Sequence, residues 1–206
     1  MKRSIVSSQP AIIVLAAGAS SRFGSPKQLA LIHGNSLLQT LATRAVEVAG
    51  SAVTVVLGAH ASQIAPVLGR LPVSVVINRM WPEGLASSIR AGVRSLPGSC
   101  VAALLLLADQ AAVSSDDLER LSGAWRRDPT RIAAARYGGS VGVPAVFPRA
   151  HFNDLLALRG DHGARLLLQR NLDRLTAVPM PSAAFDLDTP EALHGAMSSH
   201  DNGSSG

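Results

Sequence analysis

Continuous apolar runs of strand length alternate with amphipathic, helix-like segments along most of the chain. The runs include AIIVLAA, AVTVVLG, VSVVIN and VAALLLLAD, and the segments between them include SLLQTLATRAVEVAG and LASSIRAGVRSL. Strands without polar alternation are buried on both faces, as in a parallel sheet that is covered by helices on each side. The pattern therefore predicts an α/β fold with a doubly wound, mostly parallel sheet. Only 3% of the residues are aromatic, so aliphatic side chains must fill this core.

The rhythm of the chain changes near residue 137. The length of 206 residues suits one domain, which we place at residues 1–198. Within it, the Gly- and Pro-rich YGGSVGVPAVFP and two short helical stretches predict a small lobe, at about residues 137–180, inserted at one edge of the sheet. Residues 199–206 contain no apolar side chain and are expected to be a disordered tail.

Some helix boundaries and helix faces can also be predicted. Asn35 and Ser114 are natural N-caps, and acidic residues follow Ser114 in the first turn of its helix. Arg90 and Arg94 are four residues apart on one helical face, which is typical of a solvated stripe.

Composition and charge exclude several classes of protein. No apolar run approaches the roughly 20 residues of a membrane helix, and MKRSIVSSQP lacks the apolar region of a signal peptide. The single cysteine, Cys100, excludes an internal disulfide framework and fits a reducing cytoplasm. The formal net charge is +5, but scattered arginines and few aromatics provide no stacking surface for nucleic acid. We therefore expect a cytoplasmic protein that binds small phosphorylated molecules, and neither nucleic acid nor membranes.

The first apolar run ends in residues that are too small and polar to build a core. Residues 11–27 read AIIVLAAGASSRFGSPK, so the strand delivers Gly18 and Gly24 to the carboxyl edge of the sheet, where open α/β sheets bind ligands. Glycines allow backbone amides to turn toward an anion, and Arg22 and Lys27 would add full charges to phosphates. The alternative is an ordinary strand-to-helix turn with surface cations.

Two other segments lie where a phosphate ligand would need them. Asp109 directly follows an apolar run, so its carboxylate reaches the same sheet edge, where a Mg²⁺ ion bridging phosphates would sit. Alternatively, Asp109 is a cap or turn residue. Gly84 to Ser88 precede a helix and can offer hydroxyls and terminal amides to a ligand, although Ser87 and Ser88 are equally suited to facing the helix start.

The stretch LAAGASSRFGSPK resembles the signature loop of the MobA/MocA-like nucleotidyltransferases, a Rossmann-like family that transfers a nucleoside monophosphate from a nucleoside triphosphate. WPEGLASSIRAGV, LLLLADQ and DLDTPEAL resemble segments of the molybdenum cofactor cytidylyltransferase branch, so the resemblance spans nearly the whole ordered chain. It implies nucleotide contacts from Leu15, Ala16, Ala17, Gly18, Ser20, Arg22, Lys27, Gly84, Ser87 and Ser88.

The resemblance also implies the catalytic machinery and the cofactor. Arg22, Lys27 and Asp109 would be catalytic, and Asp109 and Asp188 would hold Mg²⁺. The segment around Asp188 is also a good helix start, but Thr189 can take the cap and free the carboxylate.

GVPAVF and GDHGAR resemble the acceptor-side segments of the same family, which implies that the lobe at about residues 137–180 is an acceptor-side lobe. This implies acceptor contacts from Gly142, Pro144, Asp161, Gly163 and Arg165. The chain departs from the family pattern at three places. Val143 replaces the usual His, His162 replaces the usual cation, and DQAAV replaces the commoner Asp-Gln-Pro.

The donor implied by the resemblance is CTP, because Ala17 gives LAAG where guanylyl-transferring relatives carry LAGG. The implied acceptor is molybdopterin or the molybdenum cofactor, and a molybdoenzyme is a possible partner. Two alternatives stay open. One is cytidylyl, uridylyl or guanylyl transfer to another phosphorylated acceptor, and the other is a non-catalytic molybdenum cofactor chaperone.

Overall fold

The computed structural model describes residues 9–19, 26–32 and 34–184. Ser20, Arg22, Asp188 and the predicted tail lie outside these ranges. The strands are β1 Ala11–Ala16, β2 Leu31–Ile32, β3 Asn35–Ser36, β4 Val53–Leu57, β5 Ser74–Ile77, β6 Ala102–Leu107, β7 Ala133–Tyr137, β8 Ser140–Pro148 and β9 Thr176–Pro179. The α-helices are α1 Leu37–Ala49, α2 Ala61–Ile64, α3 Leu85–Ser95, α4 Ser115–Arg127, α5 Phe152–Ala157 and α6 Arg165–Arg170.

Within the described ranges, the main sheet has seven strands in the order β5-β4-β1-β6-β8-β7-β9. β5, β4, β1 and β6 pair in parallel, whereas β8 runs antiparallel to both β6 and β7. The chain moves outward from β1 through β4 to β5 and then returns to the other side of β1 with β6. This reversal confirms the doubly wound class, and it places the ligand-binding crevice at the carboxyl end of β1.

The region predicted as an acceptor-side lobe contributes to this same sheet. β8 and β9 lie toward one edge, and α5 and α6 pack near them. β9 pairs in parallel with β7. The predicted lobe therefore extends the main sheet through β8 and β9.

Both faces of the sheet are buried, as the continuous apolar runs predict. Along β1, Ile12 and Val14 face the cluster that contains α1 and α4, while Ile13 and Leu15 face the cluster that contains α3, α5 and α6. Among the described residues, the largest fully buried side chain is that of Phe147, on the face of the sheet that α3, α5 and α6 cover. None of the helices in the described ranges has both the length and the apolar character needed to cross a membrane.

One of the two predicted caps is right and the other is wrong by one residue. Ser114 caps α4 in a capping box, in which its side chain accepts a hydrogen bond from the Asp117 amide and the Asp117 carboxylate accepts one from the Ser114 amide. α1 is capped by Ser36, whose Oγ accepts from the Gln39 amide at 3.2 Å. Asn35 instead pairs with Ile32 in the short β2–β3 hairpin, so it is occupied by a strand contact.

Asp117 also links α4 to the end of the described chain, and this link makes stability depend on pH. Burial alone would raise the pKa of Asp117, but hydrogen bonds from Ser182, Ser114 and Arg120 outweigh it and hold the pKa below its ordinary value. The ionised form is therefore favoured by folding. Its contribution is present above about pH 4 and is lost as the pH falls through the lowered folded-state pKa.

We expect Asp117→Asn to make the free energy of unfolding depend less on pH in the acid range. The variant should be less stable than the parent near neutral pH, and the difference should shrink as the pH drops below about 4. Urea unfolding at a series of pH values measures this. Parallel profiles for the two proteins would contradict the assignment.

Candidate functional site

A cleft of about 440 Å³ opens at the carboxyl ends of β1 and β6, where the strand order reverses. Four parts of the chain meet there: the loop after β1, the segment that leads into α3, the end of β6, and Asp161 from the segment between α5 and α6. Of the predicted nucleotide-binding residues, the structure places Leu15, Ala16, Ala17, Gly18, Lys27, Gly84 and Ser88 in the lining. Ser87 is not in the lining, and Ser20 and Arg22 lie outside the described residues.

The charged centre of the cleft is an ion pair between the loop after β1 and the end of β6. Lys27 Nζ lies 2.9 Å from Asp109 Oδ2, and the side chains are only 18% and 22% exposed. The strand β6 ends at Leu107, so Asp109 stands at the sheet edge where the sequence predicts it. The two residues, 82 positions apart, thus bring a cation and a carboxylate to one point.

The second carboxylate oxygen of Asp109 fits a cation. Asp109 Oδ1 is buried and has no hydrogen-bond partner among the described residues. A buried acceptor of this kind is unfavourable unless a ligand satisfies it. No cluster of three potential metal ligands occurs within residues 9–19, 26–32 and 34–184. A single carboxylate oxygen can still hold Mg²⁺, because this ion is commonly bound by one or two carboxylates together with substrate phosphates and water.

Gln28 shapes the loop after β1, and sequence reasoning missed it. Its side chain is 2% exposed, and its Nε2 donates to the carbonyl oxygens of Ala16 at 3.1 Å and Gly18 at 3.0 Å. The end of β1 is also held by its neighbours, because the Ala59 amide donates to Ala17 O and the Ala108 amide donates to Leu15 O. Residues 15–18, at the end of β1, are therefore held by hydrogen bonds from three parts of the chain.

The serines at the start of α3 have different environments. Asn78, which is 5% exposed, donates from Nδ2 to Ser87 Oγ at 2.8 Å and to Ser88 Oγ at 3.0 Å. Ser87 Oγ in turn donates to Gly84 O at 2.8 Å. Ser87 therefore faces the helix start, while Ser88 lines the cleft with its acceptor capacity directed to Asn78. Its hydroxyl hydrogen is thus suited to a ligand oxygen.

Arg90 is not part of a solvated stripe, and that expectation is wrong. The residue is 8% exposed, its Nη2 lies 2.6 Å from a Glu83 carboxylate oxygen, and its Nη1 donates to Leu158 O at 2.8 Å. Arg94 on the same helix is exposed, as expected. The difference arises because the chain after α5 passes over Arg90, which the spacing along α3 does not reveal.

The predicted acceptor residues separate into two groups. Asp161 lines the cleft, whereas Gly142, Pro144, Gly163 and Arg165 do not. The Val143–Pro144 peptide bond in β8 is cis. Gly163 has φ +54°, and a Cβ atom there would lie 2.7 Å from Leu85 Cδ2. The structure therefore brings one of the five to the cleft at the carboxyl ends of β1 and β6.

A hydrogen bond joins β8 to the loop that carries Asp109. Gln110, the residue after Asp109, is 1% exposed and donates from Nε2 to Val143 O in β8 at 2.8 Å. Val143 O also accepts from Tyr137 Oη at 3.0 Å. Gln110 is a second positioning residue that the sequence did not identify, because its partner lies 33 residues away.

Comparisons with known proteins find a matching family and a relative of similar sequence. Residues 12–175 match the family described as the MobA-like NTP transferase domain. The chain is 31% identical over 194 residues to nicotine blue oxidoreductase of Paenarthrobacter nicotinovorans, covering 88% of this chain and 93% of that protein.

Two solved structures are similar over nearly their full length. A manganese complex of Rv0371c from Mycobacterium tuberculosis H37Rv has a TM-score of 0.77 and 26% identity, covering 93% of this chain and 99% of that one. A nucleotidyl transferase from Methanothermobacter thermautotroptrophicus has a TM-score of 0.76 and 26% identity, covering 92% and 96%.

Proposed function

The chain belongs to the MobA-like NTP transferase family, and on this premise we propose that it transfers CMP from CTP to the phosphate of molybdopterin or the molybdenum cofactor. Pyrophosphate is the second product, and the cytoplasm is the expected compartment. The observation that carries the proposal is the Lys27–Asp109 pair at the carboxyl end of β1 and β6. It supplies a cation for phosphates and, through Asp109 Oδ1, a carboxylate oxygen for a divalent ion.

The reaction needs positioning and charge neutralisation more than proton transfer. An oxygen of the acceptor phosphate bonds to the α-phosphorus, and the bond from that phosphorus to the bridging oxygen breaks, so pyrophosphate leaves with the electron pair. A phosphate monoester has a second pKa of about 6, so the nucleophile is already ionised near neutral pH and needs no general base. The enzyme's task is then to hold two anionic groups in line.

The residues of the cleft are suited to that task. Lys27 would balance the charge of the phosphates, Ser88 would donate to a ligand oxygen, and the loop after β1 would present its backbone to the triphosphate. Asp109 would hold Mg²⁺, with Asp188 as a second proposed ligand outside the described residues. When bound, the ion neutralises charge on the phosphate oxygens.

The choice of CTP is supported by the wall around Ala17. This residue is 5% exposed, and a Cβ atom at Gly58 would lie 2.8 Å from Ala17 Cβ and 2.7 Å from Trp81 Cβ. Gly58 therefore lies close to both Ala17 and Trp81, and the Ala59 amide also holds the carbonyl oxygen of Ala17. A purine base is larger than cytosine, so its binding would require these packed residues to move.

We expect CTP to bind about five- to hundredfold more tightly than GTP, because moving a packed wall costs about 1–3 kcal/mol. Competition binding in the presence of Mg²⁺ measures the preference, and pyrophosphate release with purified molybdenum cofactor tests the transfer. Ala17→Gly should shift the preference toward GTP, and Ala91→Gly, outside the cleft lining, serves as the control. Tighter binding of GTP or ATP by the parent protein would refute the donor assignment.

A second candidate function is redox catalysis. It is favoured by the 31% identity to nicotine blue oxidoreductase over 88% of the chain. An enzyme of that class needs a reductant, and a nicotinamide dinucleotide carries phosphates that suit the same cleft. Oxidation of a reduced nicotinamide dinucleotide by a dye acceptor, with no pyrophosphate release from any nucleoside triphosphate, would replace our proposal. If the protein shows neither activity but still binds the molybdenum cofactor, the result would favour a molybdenum cofactor chaperone.

A further inference from the structure

The segment between α5 and α6 brings a second carboxylate into the nucleotide cleft. Asp161 lines this cleft together with Trp81, Pro82 and Gly84, apart from the other predicted acceptor residues. It is exposed, and no hydrogen bond or ion pair joins it to a residue within the described ranges. Its carboxylate is therefore available to a ligand.

The position of Asp161 is fixed by the docking of its loop onto the start of α3. Arg90 donates to Leu158 O and pairs with Glu83, so a buried guanidinium joins the loop to the residues before α3. The Ala86 amide donates to Gly160 O at 3.0 Å, one residue before Asp161. A hydrogen-bonded loop of this kind holds the carboxylate against one wall of the cleft.

Gly84 makes room for that carboxylate. Its φ is +99°, and a Cβ atom there would lie 2.1 Å from Asp161 Oδ1 and 2.8 Å from the Gly160 carbonyl carbon and oxygen. Any side chain at residue 84 would thus displace the carboxylate and its backbone. The close approach of the two segments depends on this glycine.

Charge decides which part of a nucleotide can lie next to Asp161. A carboxylate repels phosphates, and the phosphates are already assigned to Lys27 and the loop after β1. The nucleoside half offers hydrogen-bond donors instead, namely the exocyclic amino group of cytosine and the ribose hydroxyls. Uracil has a carbonyl oxygen where cytosine has its amino group, so a carboxylate there would disfavour UTP.

We infer that Asp161 accepts a hydrogen bond from the nucleoside half of the bound triphosphate, rather than from the acceptor. This inference rests on the proposed function. It makes Asp161 a specificity-determining residue that is positioned by Gly84 and Arg90. The cytosine amino group and the ribose 2′-hydroxyl share the required chemistry, and the choice of nucleotides in the experiment separates them.

The experiment compares the binding of CTP, UTP and dCTP to the full chain and to Asp161→Asn in the presence of Mg²⁺. A hydrogen bond to a charged group predicts a loss of CTP affinity of roughly ten- to hundredfold. If the amino group is the donor, the variant loses its preference for CTP over UTP and keeps that for CTP over dCTP. If the 2′-hydroxyl is the donor, the reverse holds. Asp173→Asn, at an exposed position outside the cleft, is the matched control.

Three results would overturn the inference. They are an unchanged affinity for CTP, an equal loss for all three nucleotides, and a raised acceptor KM with unchanged CTP binding. Asp161→Glu, which keeps the charge, should recover part of the lost selectivity and guards against a folding defect in the Asn variant. If the parent protein binds none of the three nucleotides, the proposed function fails and the inference with it, which is distinct from failure of the variant alone.

Discussion

Replacing Asp109 with Asn is expected to lower the rate of pyrophosphate release on the order of 10³-fold. The carboxylate stands 2.9 Å from Lys27 and has a buried oxygen without a partner in the described part of the chain. Charge stabilisation by a bound ion contributes several kcal/mol to a transition state, and each 1.36 kcal/mol corresponds to a factor of ten in rate. An amide of the same shape cannot replace a charged metal ligand.

The same substitution should leave the ligand-free fold close to the parent in stability, because two effects oppose each other. The amide removes the cost of a buried carboxylate oxygen that has no partner in the described part of the chain, but it also removes the charge that pairs with Lys27. Binding of Mg²⁺ and CTP raises the unfolding temperature of any protein that binds them only when folded, so the parent should gain and the variant should gain little.

Thermal unfolding with and without Mg²⁺ and CTP, together with a pyrophosphate assay, measures both effects. Asp173→Asn is again the control, because it removes a carboxylate from an exposed position outside the cleft. A variant at residue 109 that retains more than about a tenth of the parent rate would contradict the assignment of Asp109 as a metal ligand. A variant that unfolds in the absence of ligand would show instead that the ion pair is structural.

The residues that sequence reasoning placed correctly are those fixed by the sheet itself. A continuous apolar run must become a buried strand, and the first polar residues after it must emerge at the carboxyl edge. Gly18 and Asp109 follow from this rule without any knowledge of side-chain contacts. Lys27 follows less directly, because ten residues separate it from the end of β1 at Ala16.

The residues that were missed are buried polar side chains whose partners are remote in sequence. Gln28 and Asn78 each satisfy two oxygen acceptors, and Arg90 reaches a carbonyl 68 residues away. A polar residue in a single sequence is most simply interpreted as exposed, since most such residues are. Burial of Arg90 depends on where the loop after α5 passes, which is a property of the tertiary fold and not of helical spacing.

Replacing Gly84 with Ala is expected to destabilise the fold by about 2–6 kcal/mol. Gly84 has φ +99° and ψ −179°, a conformation that is essentially restricted to glycine, and strain of this kind costs about 1–3 kcal/mol. The added Cβ atom would also lie 2.8 Å from the Gly160 backbone, and overpacking costs about 1–3 kcal/mol more. The loop that carries Asp161 must move away from α3, so CTP binding should weaken as well.

Gly98→Ala is the matched control, because a Cβ atom at Gly98 has no neighbour within 4 Å and its φ is not in the glycine-favouring range. Urea unfolding should separate the two variants clearly. Combining Gly84→Ala with Asp161→Ala should recover only part of the loss, since the Gly160 contact and the backbone strain both remain. If Gly84→Ala is as mild as the control, the loop does not pack against α3 as described. The position of Asp161 would then not depend on Gly84, and the proposed hydrogen bond from the nucleoside to Asp161 would lose its structural support.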